Sequence, residues 1–182
     1  MIDTVTDRVI QLAGMPAPVP LRRHAPGEPL LPGPALFGGA PGGRLLKPAE
    51  AVARQAATVL RTPTEGDEPL AALVFDASGI TSSGGLRALY DFFHPVIRKV
   101  APSGRVVVLG TPPDACGSPA EAVAQRALEG FVRSLGKEVG KGATANLVHV
   151  EPGAEGAMAS TLRFLLSARS AYVSAQGIRI AD

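Results

Sequence analysis

The chain has 182 residues and a mass of 18.6 kDa, the size of one globular domain or of one domain with a docking arm. Apolar residues make up 46% and charged residues 19%, enough core material for a buried sheet and too much for a wholly disordered chain. The net charge is +2, from Lys and Arg scattered without any long basic run, so no nucleic-acid partner is expected.

A single cysteine, Cys116, excludes an internal disulfide and a cysteine-based zinc site, and His24, His94 and His149 are too far apart in sequence to suggest a ligand set. No metal is expected. Asp3 and Asp7 interrupt the first apolar residues, unlike a signal peptide, and no apolar stretch reaches membrane-spanning length. A cytoplasmic protein without a membrane partner is expected.

In chain order, residues 1–14 form an arm in which Val5, Val9, Ile10 and Leu12 recur at roughly helical spacing, stopped by Gly14 and Pro16. Residues 15–34 carry seven prolines, which fix extended backbone and remove donors. This segment is a strap or linker. It is either an exposed tether or a band whose Leu21, Leu30 and Leu31 bind a neighbouring surface.

From residue 35 to 182 short apolar runs alternate with helical patterns, an α/β signature. Strands are predicted at 35–39, weakly at 58–61, at 70–79, at 105–110, at 145–150 and near 175–180. Helices are predicted near 48–57, over 85–100, over 119–139 and near 158–167. The helix at 119–139 carries Val123, Ala127, Leu128, Phe131, Leu135 and Val139 at three- and four-residue spacing, and Gly140 and Gly142 end it. Its Ala120, Ala124 and Ala127 are small enough for close approach of another helix. Strands separated by crossover helices run parallel, so the fold class is α/β, a doubly wound, mostly parallel Rossmann- or flavodoxin-like sheet with helices on both faces.

In such a sheet the ligand crevice lies where the winding reverses, beyond the first strand. There the sequence reads GGAPGGRLLKP, with Gly38, Gly39, Gly42 and Gly43. These four are the candidate cofactor-binding residues, since a loop without Cβ atoms admits a phosphate to backbone N–H groups at a helix start. The alternative is that they only permit a tight turn. Pro41 removes one donor, Leu45 is expected to obstruct helix–strand approach, and only Arg61 follows the weak second strand as a ribose ligand.

Several segments resemble a short-chain dehydrogenase/reductase of the 3-oxoacyl-ACP reductase type. LVFDASGI (73–80) resembles the family's Asn-Asn-Ala-Gly segment, GRVVVLGT (104–111) the strand that ends at its catalytic serine, and ALEGFVRSLGKEVGKGA the active-site helix. VEPG (150–153) resembles the Pro-Gly turn of the nicotinamide pocket, and SAYVSAQGIRI the approach to the last strand. The nearest likeness is to the amino-terminal, degenerate flavodoxin-like domain of the long two-domain 3-oxoacyl-ACP reductases.

The resemblance implies ketone reduction by NADPH, with a Tyr and a Lys four residues later delivering the proton, a Ser orienting the carbonyl and an Asn holding a water. Here Glu121 stands at the Tyr position, Gln125 at the Lys position, Thr111 at the Ser position, and Asp76 and Ala77 at the paired Asn positions. Tyr90 and Tyr172 are followed four residues later by His94 and Gln176, and Asn146 lies on a strand. No residue is therefore assigned a catalytic role, and the chain is expected to be inactive alone. Glu121 as a raised-pKa acid and Cys116 as a reactive thiol are weighed against a solvated helix-start glutamate and a plain cysteine.

The expected function is packing or oligomerisation beside a catalytic ketoreductase domain, with a second copy or that domain as partner and no cofactor. The alternatives are an active NADPH-dependent 3-oxoacyl-ACP/CoA reductase and a flavodoxin-like nucleotide or FMN binder.

Overall fold

A computed structural model describes residues 19–61 and 68–181. Six strands form one sheet: β1 (Ala35–Gly39), β2 (Leu60–Arg61), β3 (Leu70–Asp76), β4 (Val100–Gly110), β5 (Thr144–Val150) and β6 (Gly177–Ile180). Their order is β2-β1-β3-β4-β5-β6 and every pairing is parallel. The four long helices are α1 (Leu46–Gln55), α2 (Arg87–Phe93), α3 (Pro119–Glu138) and α4 (Met158–Leu166).

The central strands read as apolar runs because both of their faces are covered. On one face Ala35, Phe37, Val74, Val107, Leu109 and Val148 pack against Leu45, Val52, Leu162 and Leu165 from α1 and α4 and the residue before α1. On the other, Leu36, Leu73, Phe75, Val106, Val108 and Leu147 pack against Leu89, Phe93, Leu128 and Val132 from α2 and α3. Successive strand residues thus serve opposite layers, as the two-residue period of a strand requires. The chain steps from β1 outward to β2, then back across to β3. The winding therefore reverses between β1 and β3, and the crevice opens at their carboxyl ends.

The predicted strands are all present, with the one at 58–61 shortened to Leu60–Arg61, the last to Gly177–Ile180, and the one at 105–110 lengthened backward to Val100. The helix expected over 85–100 is corrected. It is a 3₁₀ turn (Ser83–Leu86), α2, and a second 3₁₀ turn (Ile97–Lys99). His94 keeps helical geometry and donates to the Tyr90 carbonyl, but Pro95 supplies no N–H to continue the ladder, so α2 stops at Phe93.

In α3, Leu128 is buried and Phe131 and Leu135 pack against the core, but Val123 is 66% exposed and Ala127 is exposed, while Ala124, Gln125 and Val132 are buried. The buried stripe is thus rotated from the expected one. The helix ends as expected: Gly140, at φ +58°, sits just beyond the cap, in the left-handed region that favours glycine.

The arm predicted at 1–14 and the first residues of the strap lie outside the described residues. The rest of the strap does bind a surface, and that surface is its own sheet. Leu31 is buried, Leu30 packs on the same core, and the Arg22 N–H donates to Ser103 Oγ at 3.1 Å. Leu21 lies over Gly142, where a Cβ would come 2.6 Å from its side chain.

Gly38 shows how tightly the α2 layer sits on β1. A Cβ there would come 2.4 Å from the Phe92 ring, which is held 4.9 Å, centroid to centroid, from Phe75. Gly38→Ala should therefore cost roughly 1–3 kcal/mol by overpacking. In a Phe92→Leu background the added cost should fall, and urea-unfolding midpoints of the four proteins of this cycle measure the coupling.

Candidate functional site

The crevice begins with a helix that cannot cap itself. The residue before α1 is Leu45, which has no side-chain acceptor, and Pro48 withholds one of the first N–H groups. Asp76, the last residue of β3, supplies what α1 lacks. Its Oδ2 accepts from the Leu45 and Leu46 N–H groups at 2.7 and 2.8 Å, and its Oδ1 accepts from the Ser78 N–H at 2.9 Å. Ser78 Oγ in turn accepts from the Arg44 N–H at 2.9 Å. A fully buried carboxylate thus occupies the positive end of α1, the position where a dinucleotide fold presents N–H groups to phosphate.

The predicted glycines are placed by this contact. A Cβ on Gly43 would come 2.5 Å from Asp76 Oδ2, and one on Gly39 3.1 Å from Asp76 Cβ. Gly38 makes room for Phe92, and Gly42 takes φ +78° with open space around it. Gly79, not singled out from the sequence, is tighter still: a Cβ there would come 2.3 Å from the Pro41 carbonyl oxygen. Leu45 does not obstruct the helix as expected; it is fully buried in the core under α1. Arg61 is paired with Glu68 at 2.9 Å.

Arg44 then crosses the crevice. Its guanidinium donates to Thr111 Oγ1 at 3.3 Å and to the Glu151 carbonyl at 3.4 Å, and it also bonds the Val150 carbonyl and pairs with Glu155. These partners follow β4 and β5, so one side chain ties three strand ends together. The Glu155 carboxyl lies below its usual range, held there by its own backbone N–H and further by the Gly153 N–H and Arg44.

The residues weighed as counterparts of the family's catalytic groups make structural contacts. Gln125 is fully buried; its Oε1 accepts from the Thr111 N–H at 2.9 Å and its Nε2 donates to the Ala77 and Ile80 carbonyls at 2.8 and 2.9 Å. Ser118 caps α3, its Oγ accepting from the Glu121 N–H at 3.2 Å, and Glu121 Oε2 reaches back to accept from the Gly117 N–H at 3.0 Å. Asn146 is buried and bonds the Val173 carbonyl and the Gln176 N–H. Cys116 donates to the Pro112 carbonyl, and burial followed by the nearby Glu121 charge pushes its thiol up, away from thiolate reactivity. Tyr90 stacks on His94, 4.6 Å between centroids, and Tyr172 is exposed.

With this geometry in place, the likeness to solved structures is specific. The fold is that of the short-chain dehydrogenase/reductases. The short-chain dehydrogenase/reductase from Serratia marcescens BCRC 10948 matches with a TM-score of 0.66 at 15% identity, over 84% of this chain and 97% of that one. A short-chain dehydrogenase/reductase-family oxidoreductase from Brucella ovis, solved with a partially ordered NAD, matches with a TM-score of 0.61 at 15% identity, over 82% and 100% of the two chains. No protein-family model matches the chain, and no curated protein matches it in sequence. Among the described residues no helix is long and apolar enough to cross a membrane, and no three His, Cys, Asp or Glu side chains converge as a metal site would require.

Arg44 and the clamping role of Asp76 were missed from sequence. The only local signal was an apolar residue at the helix cap, which requires an acceptor from elsewhere. Beyond Thr111 a second hollow, of about 440 Å³, is lined by Pro112, Pro113, Asp114, Glu129, His149 and Arg179 among others. Arg179 closes it by pairing with Asp114 at 2.7 Å and Glu151 at 2.5 Å. His149 is 8% exposed, its Nε2 has no hydrogen-bond partner, and burial pushes its pKa down.

Two outcomes are expected. Asp76→Ala strands three N–H groups and should cost roughly 2–4 kcal/mol in urea unfolding, with Asp76→Asn, which keeps one acceptor oxygen, losing less. Because the folded state disfavours protonated His149, stability should be fully present above the unfolded-state histidine pKa of about 6.5 and be lost as pH falls through the lower folded value. His149→Gln should flatten that decline between about pH 7 and 5, read from unfolding midpoints across the range.

Proposed function

We propose that the chain is a non-catalytic reductase-like module of a 3-oxoacyl-ACP reductase, packing and associating beside a catalytic ketoreductase domain. The observation that carries this reading is that the nucleotide crevice is filled from within. Asp76 holds the N–H groups a pyrophosphate would need, Arg44 spans the strand ends, and buried Gln125 stands where the proton-relay lysine belongs. A dinucleotide does not fit those residues as they stand, since its phosphates would meet a carboxylate at the helix start. A neighbour of the same fold was solved with a partially ordered NAD, so the reading rests on the residues of this crevice and not on the fold.

The contact surface assigned to association is the outer side of α3, where Ala120, Val123, Ala127 and Gly130 are exposed, together with the edge strand β6. Val123, the exposed apolar side chain in this row, is the natural anchor.

Calorimetric titration with NADPH or FMN should give no saturable binding, and acetoacetyl-CoA should elicit no NADPH oxidation from the purified chain. Sedimentation at tens of micromolar should show a self-associated species or a complex with an added 3-oxoacyl reductase domain, weakened by Val123→Arg. Catalysed reduction by the chain itself would establish instead an active NADPH-dependent reductase, FMN binding a flavodoxin-like module. A monomer that forms no complex would reject the association.

A further inference from the structure

A second gathering of cations lies at the other edge of the sheet. α4 returns the chain to the amino-terminal strand ends, where the strap crosses in front of it. Between them lies a cavity of about 450 Å³, the size of a small-molecule site, lined by Arg22, His24, Glu28, Arg163, Phe164 and Arg169 among others.

The cations there outnumber the anions. Arg22 is paired with Glu28 at 3.2 Å. Arg163 donates to Gln55 Oε1 at 2.8 Å and Arg169 to His24 Nε2 at 3.1 Å, both side-chain acceptors that are not carboxylates. A further guanidinium sits behind the wall. Arg105 is 2% exposed and donates through Nε to the carbonyl of Ser167, a residue of the cavity wall, and through Nη1 to the Ser103 and Gly104 carbonyls. Its Nη2 has no hydrogen-bond partner, and burial followed by the charge of Arg22 pushes its pKa down. A buried cation without a counter-ion is costly, and the direct remedy is an anion nearby.

The shape of the wall narrows the anion's chemistry. Arg163 and Arg169 are exposed forks suited to an oxyanion, and two such charges match the nearly doubly charged phosphate of a monoester better than a single carboxylate. Part of the remaining wall is apolar: Phe164 is 39% exposed and lines the cavity with Leu30, Pro29 and Ala168, while Ser160 and Ser167 add hydroxyls. The volume far exceeds a lone phosphate. We propose that this cavity binds a small organic phosphomonoester, with Arg163 and Arg169 holding the phosphate and Phe164 covering an aromatic or similarly flat organic part. This site is independent of the crevice and of the function proposed for it.

Phenyl phosphate and AMP, titrated calorimetrically into the full chain at low salt, test the proposal, with benzoate and inorganic phosphate as partial ligands. At least one phosphomonoester should bind saturably in the micromolar to low millimolar range, at least tenfold more tightly than benzoate or inorganic phosphate. Arg163→Gln and Arg169→Gln should each weaken it about tenfold. Phe164→Ala should weaken the aromatic ester and leave inorganic phosphate within about twofold. Both arginines are exposed, and circular dichroism serves as the check that each variant folds. Amide shifts should concentrate at residues 163–169 and 22–30. Absence of binding by both esters, affinity unchanged in both arginine variants, or shifts confined to residues 39–46 would each overturn it.

Discussion

The hydrogen bonds from Asp76 to the start of α1 hold together the point at which the sheet changes its direction of winding. Every doubly wound sheet leaves N–H groups there without partners, because the helix after the first strand begins in the crevice. In a dinucleotide enzyme an anion of the cofactor completes them. Here the anion is covalently part of β3, delivered to the same place by the strand that neighbours β1. Gly39, Gly43 and Gly79 are the space this arrangement needs, so the glycine pattern of a phosphate loop survives around a carboxylate. The carboxylate accepts from three backbone N–H groups, and an entering phosphate has to displace it before gaining anything.

The same substitution of chain for ligand runs through the rest of the crevice. A lysine at position 125 would carry a charge that needs a polar cofactor beside it, whereas Gln125 satisfies itself on three backbone groups and can be buried completely. Arg44 performs the corresponding task in the open part of the crevice, where Thr111, Val150, Glu151 and Glu155 provide its acceptors. Glu121 accepts from the Gly117 N–H just before the cap of α3. In each case a polar side chain at the crevice finds its partners within the chain, which is the physical basis of the non-catalytic reading proposed above.

Sequence reasoning found the architecture because β3 and the second half of β4 carry apolar runs, at Leu70–Phe75 and Val106–Leu109, that a sheet covered on both faces accommodates. It found the glycines and could not decide their purpose, since a turn and a phosphate cradle require the same freedom from Cβ atoms. What separates them is Asp76, more than thirty residues further along the chain, and no local rule connects the two. The bonds from Arg44 to Val150, Glu151 and Glu155 span still greater separations. The buried stripe of α3 was misjudged for a related reason: Gln125 is polar by composition and core by position, and counting only apolar residues turns the helix away from it. Pro95, by contrast, was a local signal against a continuous helix over 85–100.

The two edges of the sheet end up electrostatically unlike. At the carboxyl edge Arg44 meets Glu155, Arg179 meets Asp114 and Glu151, and Asp76 meets backbone N–H groups, so cations and anions are matched within hydrogen-bonding distance. At the amino edge Arg22, Arg105, Arg163 and Arg169 gather around a cavity with Glu28 as the carboxylate in the wall. The small net charge of +2 therefore conceals a strongly uneven distribution. On the readings proposed above, the carboxyl end of the strands is neutralised from within, and the guanidinium groups gathered at the amino end make that end the one at which this fold attracts an anion.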